Sequence, residues 1–216
     1  MPLETLTTAV VAFVVGGVLG WWPLAAWTRR SMTTERMPQR TVRVAGAAIT
    51  AVTFAALAWR FGPTWILPAL LVFAASATVL ALVDLAEKRL PNAVTFPTLG
   101  VVAALLVPAT WATGDWMALV WAVVGAAAMF AVYFLLALIS PSSMGMGDVK
   151  LALLLGLVLG WFGLSAWVIG LLAAFVVGGV VSIVALAMRR VTLRGSIPFG
   201  PSMLAGAMLA LLFVGP

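Results

Sequence analysis

Apolar residues fill this chain in long blocks, broken only by short polar or basic clusters. Taken in order, the blocks predict helices over residues 5–27, 42–60, 64–85, 92–110, 116–139, 149–163, 165–188 and 199–215. Most supply about the 20 apolar residues that carry a helix across a bilayer core. The sixth, which ends near Trp161, is short enough to be a half-helix. No polar stretch is long enough for a soluble domain with a core of its own. The expected architecture is therefore all-α: one polytopic membrane domain over residues 1–216, with about eight transmembrane helices. Composition strengthens that reading. The chain is 64% hydrophobic and 8% charged, with a mean hydropathy of +1.20, where soluble domains are roughly 45 to 50% apolar. No internal repeat or low-complexity linker is visible. Gly16 with Gly20, and Gly156 with Gly160, follow the small-xxx-small spacing of close helix packing.

Charge adds an orientation. Only Glu4 precedes the first block and Arg29 and Arg30 follow it, the reverse of a cleavable signal peptide. The block is expected to stay as an anchor with the N-terminus outside. Alternation then puts the loops at residues 28–41, 86–91, 140–148 and 189–198 in the cytoplasm. Those loops and the adjoining helix ends hold Arg29, Arg30, Arg36, Arg40, Arg43, Lys88, Arg89, Lys150, Arg189, Arg190 and Arg194, and only Arg60 falls outside. Eleven of the twelve basic residues thus agree with the excess of Lys and Arg in cytoplasmic loops. The formal charge of +6 reads as a topology signal and not as a nucleic-acid surface.

The chain has no cysteine, no histidine and a single tyrosine, Tyr133. Disulfides, thiolate metal sites and cysteine nucleophiles are excluded, and acid–base chemistry falls to carboxylates, lysine, Tyr133 or hydroxyls. Two of the six acids stand out. Asp84, in "LVDLAEKRLPN", closes the third block, and Asp148, in "MGMGDVKL", opens the sixth. Two crossings separate them, so both return to the same face at similar depth. Two carboxylates a few ångströms apart resist being ionised together. One can then deprotonate a water while the other protonates or polarises a peptide carbonyl, with no metal and no cofactor. Simpler roles exist: Asp148 as a helix N-cap, and Asp84 as a partner of Lys88 one turn on. The flanking Gly145 and Gly147 go beyond a cap, because glycine permits backbone conformations and close approaches that would let an extended peptide lie beside the carboxylate. Glu4, Glu35 and Asp115 read as solvated charges. Glu87 reads as a solvated loop residue, or as a contact for a basic substrate segment. Lys150 is either a topology marker or an electrostatic tuner of the pair.

With these residues assembled, the chain resembles the prepilin peptidases, membrane aspartic proteases of the GxGD type. Three stretches carry the resemblance: "DLAEKRLPNAVTFP" from Asp84 to Pro97, "GMGDVKL" from Gly145 to Leu151, and "RGSIPFGP" from Arg194 to Pro201. The resemblance implies that Asp84 and Asp148 are the catalytic pair and that Gly145 and Gly147 shape the second aspartate's turn. It places Ile197 to Pro201, with Pro198 and Gly200, close to the active site, although a rigid start to the last helix explains that stretch equally well. Substrates of the family, type IV prepilins and type II secretion pseudopilins, carry a short basic leader before a hydrophobic helix. They are cut after a glycine at the cytoplasmic boundary of the inner membrane. Bifunctional members insert a cytoplasmic region with paired CxxC motifs between their first two spans; here "TRRSMTTERMPQRTVRV" fills that gap without cysteine, which speaks against methyl transfer. Two other readings use the same acids: a presenilin-like protease cutting within transmembrane helices, and a small ion-coupled transporter.

Overall fold

The computed structural model of the chain describes residues 3–34, 37–140, 144–188 and 197–214. Glu35, Arg36, Arg189, Arg190 and Arg194, assigned above to loops, lie outside those residues. Each apolar block folds as helix, and there is no strand among the described residues. The first block runs unbroken from Leu3 to Ser31 as α1 (Leu3–Leu19), one π-helical turn (Gly20–Leu24) and α2 (Ala25–Ser31). Pro23 lies inside the π turn; its ring and missing N–H disrupt an ordinary helix, and a wider turn absorbs the disruption. Then follow α3 (Gln39–Phe61), α4 (Leu67–Glu87), α5 (Asn92–Thr113), α6 (Trp116–Ile139), α7 (Met146–Trp161), α8 (Leu164–Ala187) and α9 (Gly200–Val214).

The protein is a helical membrane protein. Among the described residues, six helical runs are long and apolar enough to cross a bilayer. α7 and α9, at 16 and 15 residues, span about 22–24 Å at the α-helical rise, short of a hydrocarbon core of about 30 Å. Large apolar side chains such as Val11, Val120, Leu172 and Phe213 face outward, where lipid tails would cover them. The inner helices are α4, with Leu70, Phe73, Leu80 and Val83 buried, and α7, with Leu151, Leu154, Leu155 and Val158 buried. α5 and α9 each pack against both, so they bridge the two helices that carry the aspartates.

The glycine spacings do the packing they predicted. A Cβ on Gly156 would run into the Gly125 carbonyl, and one on Gly160 into the carbonyl of Trp121, so α6 and α7 touch backbone to backbone. Gly16 meets Thr50 and Phe54 of α3, and Gly20 meets Gly46. Close approach of this kind replaces the hydrophobic drive that lipid does not provide.

The links alternate between the two ends of the bundle. One end gathers the turns at Gly62, Gly114 and Gly163, all at positive φ. There Arg60 Nε donates to the Leu212 carbonyl at 3.2 Å, and Asp115 caps α6 by accepting the Ala118 N–H at 3.1 Å. The opposite end gathers the link between α2 and α3, that between α4 and α5, and the starts of α7 and α9. Asp84 and Asp148 are at this second end, together with Arg29, Arg30, Arg40, Arg43, Lys88, Arg89 and Lys150.

Candidate active site

Asp84 sits in the last turn of α4 and is 3% exposed. The helix stops at Lys88, which adopts the left-handed conformation (φ 51°) and returns its N–H to the Asp84 carbonyl at 2.8 Å. That turn sends Leu90 and Pro91 across the end of the bundle, and Pro91 caps α5. Asp84 Oδ2 accepts the N–H of Gly200 at 3.0 Å. Ile197, Pro198 and Phe199 lead non-helically into α9, which opens at Gly200 and Pro201; proline costs no hydrogen bond there, since first-turn N–H groups have no partner within the helix. A Cβ on Gly200 would stand 2.7 Å from Asp84 Oδ2 and 3.3 Å from Leu90 Cδ2. Glycine is therefore the residue that lets α9 begin against this carboxylate.

Asp148 is the third residue of α7, and its N-cap is Gly145. Asp148 is thus not the cap itself. Its N–H donates to the Gly145 carbonyl at 3.1 Å, and its Oδ2 accepts the Gly145 N–H at 3.3 Å. The glycines differ from the expectation. Gly145 has φ −79° and ψ 151°, ordinary extended backbone, and neither it nor Gly147 has a positive φ. What Gly147 provides is proximity to Leu90: a Cβ there would lie 3.2 Å from Leu90 Cβ. The close neighbour of this glycine is the chain's own leucine, a residue the sequence marks only as part of the "LPN" stretch.

The parts converge. Leu90, 7% exposed, touches the positions of both Gly147 and Gly200, so all three motif stretches meet at one side chain. Burial, and after it the neighbouring charge of Asp84, disfavour the ionised form of Asp148. Each carboxylate is held by a backbone N–H at the start of a helix, where negative charge is favoured, and this offsets part of the cost of burying it. Lys150 Nζ donates to Asn92 Oδ1 at 3.1 Å and lies 6.0 Å from the centre of the Phe96 ring. It thereby ties the second motif to the first. Pro198 belongs to the lead-in to Gly200. Tyr133, 1% exposed, stacks on Phe175 at 5.9 Å and tilts against Phe199 at 6.4 Å.

Glu87 is corrected outright. Its side chain is 2% exposed and paired with Arg89; Oε1 accepts the N–H groups of Thr33 and Thr34, each at 2.6 Å. Arg89 in turn donates to the Ser31 carbonyl at 2.6 Å. This acid clips the segment after α2 to the end of α4. No group of three or more metal-ligating side chains occurs among the described residues.

The sequence profile of the type IV leader peptidase family matches residues 71–183, a span that holds both aspartates. Curated proteins named prepilin leader peptidase/N-methyltransferase are similar. The one from Stutzerimonas stutzeri is 31% identical over 73% of this chain and 53% of its own length. That from Pseudomonas putida is 32% identical over 73% and 54%, and that from Bacillus subtilis 31% identical over 78% and 65%. The chain spans about half the length of most of these relatives. No solved structure matches it.

Proposed function

The chain belongs to the type IV leader peptidase family, and from that premise we propose that it is an aspartic endopeptidase that removes the leader from type IV prepilin-like or pseudopilin substrates. The observation that carries the proposal is the pairing of Asp84 and Asp148. They come from different inner helices, occupy one end of the bundle, and each is anchored by a helix-start N–H that leaves carboxylate lone pairs for a water.

In this reading one aspartate is ionised and the other holds a proton. The ionised carboxylate takes a proton from a water between them as the water oxygen attacks the carbonyl carbon of the scissile bond. The protonated partner donates its proton to the carbonyl oxygen. As the tetrahedral intermediate collapses, one of its hydroxyls returns a proton to the ionised aspartate, the C–N bond breaks, and the leaving amine takes the proton held by the other aspartate, which restores the shared-proton state. No cofactor takes part. The excess of basic residues at this end supports a cytoplasmic position for it, where a leader preceding a hydrophobic helix would present its cleavage site. The reading takes residues 1–216 as one membrane-embedded peptidase domain. It includes no methyl transfer, since the segment from Thr28 to Val44 is short and free of cysteine.

The test is co-expression with a candidate prepilin, following leader loss by gel shift. Asp84→Asn and Asp148→Asn should each reduce cleavage by several orders of magnitude while the protein stays in the membrane, as removal of a catalytic group does. Appreciable turnover by either variant would rule out the dyad.

A further inference from the structure

At the same end of the bundle, but on its flank, a pocket of about 280 Å³ opens between α2 and α3. Arg29 and Arg30 line it from α2, Arg43 and Gln39 from α3, and Trp22 from the π turn. Ala25 and Ala26 leave the room between them. No carboxylate pairs with the three arginines among the described residues. Arg43 is steadied on one side by the Trp21 ring, 5.9 Å from its guanidinium carbon. Arg29 is the informative residue: its Nε is buried and has no hydrogen-bond partner.

A basic residue that merely marks topology keeps its charge in water on a flexible stem. An N–H sealed from water without an acceptor is costly, and three guanidinium groups around one small space repel one another unless an anion sits among them. Guanidinium is planar and donates in pairs, which matches the oxygens of a phosphate better than a point charge would. Trp21 and Trp22 are exposed, at 47% and 72%, as indoles are where lipid headgroups begin. The π turn contributes too, since its extra residue sets the rotation of α2 relative to α1.

We infer that this pocket binds the phosphate of an anionic phospholipid headgroup. The site is independent of the peptidase reading, because no residue of the dyad lines it. A basic leader peptide is excluded as its occupant by like charge, and the acyl chains of a lipid would extend along the apolar outer faces of α1 and α3.

The test uses the full chain, purified in mild detergent. Native mass spectrometry and thermal unfolding are recorded with added phosphatidylglycerol, with phosphatidylcholine, and with inorganic phosphate alone. Phosphatidylglycerol is expected to stay bound and to raise the unfolding temperature, and phosphatidylcholine is not. The Arg29→Gln/Arg43→Gln variant should bind phosphatidylglycerol about tenfold or more weakly, as loss of charge-assisted hydrogen bonds requires. Arg40→Gln, an exposed arginine of the same helix that does not line the pocket, should bind as the native chain does. Should the double variant fail to fold, Arg43→Lys keeps the charge without the planar fork and should fall between. Equal retention of phosphatidylglycerol by the pocket variants and by Arg40→Gln would mean diffuse attraction only and would overturn the site. Saturable binding of inorganic phosphate as tight as that of the lipid, with the same arginine dependence, would overturn the lipid as its source.

Discussion

One hydrogen bond, from the Gly200 N–H to Asp84 Oδ2 at 3.0 Å, joins the start of α9 to the proposed dyad, and it depends on the absence of a side chain. Gly200→Ala would place a methyl 2.7 Å from the carboxylate oxygen, so the carboxylate or the helix start must give way. Misplacing a reacting group by about 1 Å can cost around a hundredfold in rate, and a loss of that order is expected in prepilin cleavage with the protein still folded. Gly179→Ala is the matching control, since nothing lies within 4 Å of a Cβ there. Equal activity of the two variants would detach α9 from the chemistry. Gly147 teaches the opposite lesson. Two glycines just ahead of an aspartate are legible in the sequence, but what they make room for is not. A bulky residue at Gly147 collides with Leu90 whether or not substrate passes, so its effect alone cannot locate the peptide. Leu90 itself was hidden because an apolar residue in an apolar chain carries no compositional signal; only the fold brings it between the two motifs.

At the scale of elements, helix positions followed from hydropathy to within a few residues, because a bilayer forces each apolar block to satisfy its own backbone. The details at helix ends did not, since they depend on partners distant in sequence. Pro23 inside a long apolar block gives no hint that the helix continues through a π turn to Ser31. Glu87 gives no hint that its carboxylate caps Thr33 and Thr34, far back along the chain. That clip has a measurable consequence. Glu87→Ala takes the acceptor from two exposed backbone N–H groups and the ion-pair partner from Arg89, which keeps its bond to the Ser31 carbonyl, and a stability loss of about 1 kcal/mol is expected. Glu87→Gln keeps an acceptor oxygen for Thr33 and Thr34, gives up the ion pair, and should lose less. Thermal unfolding in detergent orders the three proteins, and limited proteolysis between α2 and α3 should accelerate in the same order. An alanine variant as stable as the native chain would mean that the clip holds nothing in place.

Over the whole molecule, the two ends are chemically unlike, and the difference argues for an orientation. Seven of the eight basic residues among the described ones lie at the end that carries Asp84 and Asp148; Arg60 alone lies at the other, near Asp115. Moving that end across the bilayer would carry most of the positive charge with it, so the arrangement favours a cytoplasmic dyad. The natural absence of cysteine makes this testable without background labelling. Thr41→Cys, exposed at the start of α3, marks the dyad end, and Asp115→Cys marks the far end. A membrane-impermeant thiol reagent added to intact spheroplasts should label position 115 and reach position 41 only after the membrane is opened. Asp115→Asn should cleave prepilin within a few-fold of the native rate, because Asp115 only caps α6 at the end opposite the chemistry. Asparagine caps a helix as well as aspartate does and keeps an oxygen for the Ala118 N–H, so the bundle should stay folded. If the reagent labels position 41 and not 115 in sealed cells, the dyad faces outward, and a substrate whose leader remains in the cytoplasm could not reach it.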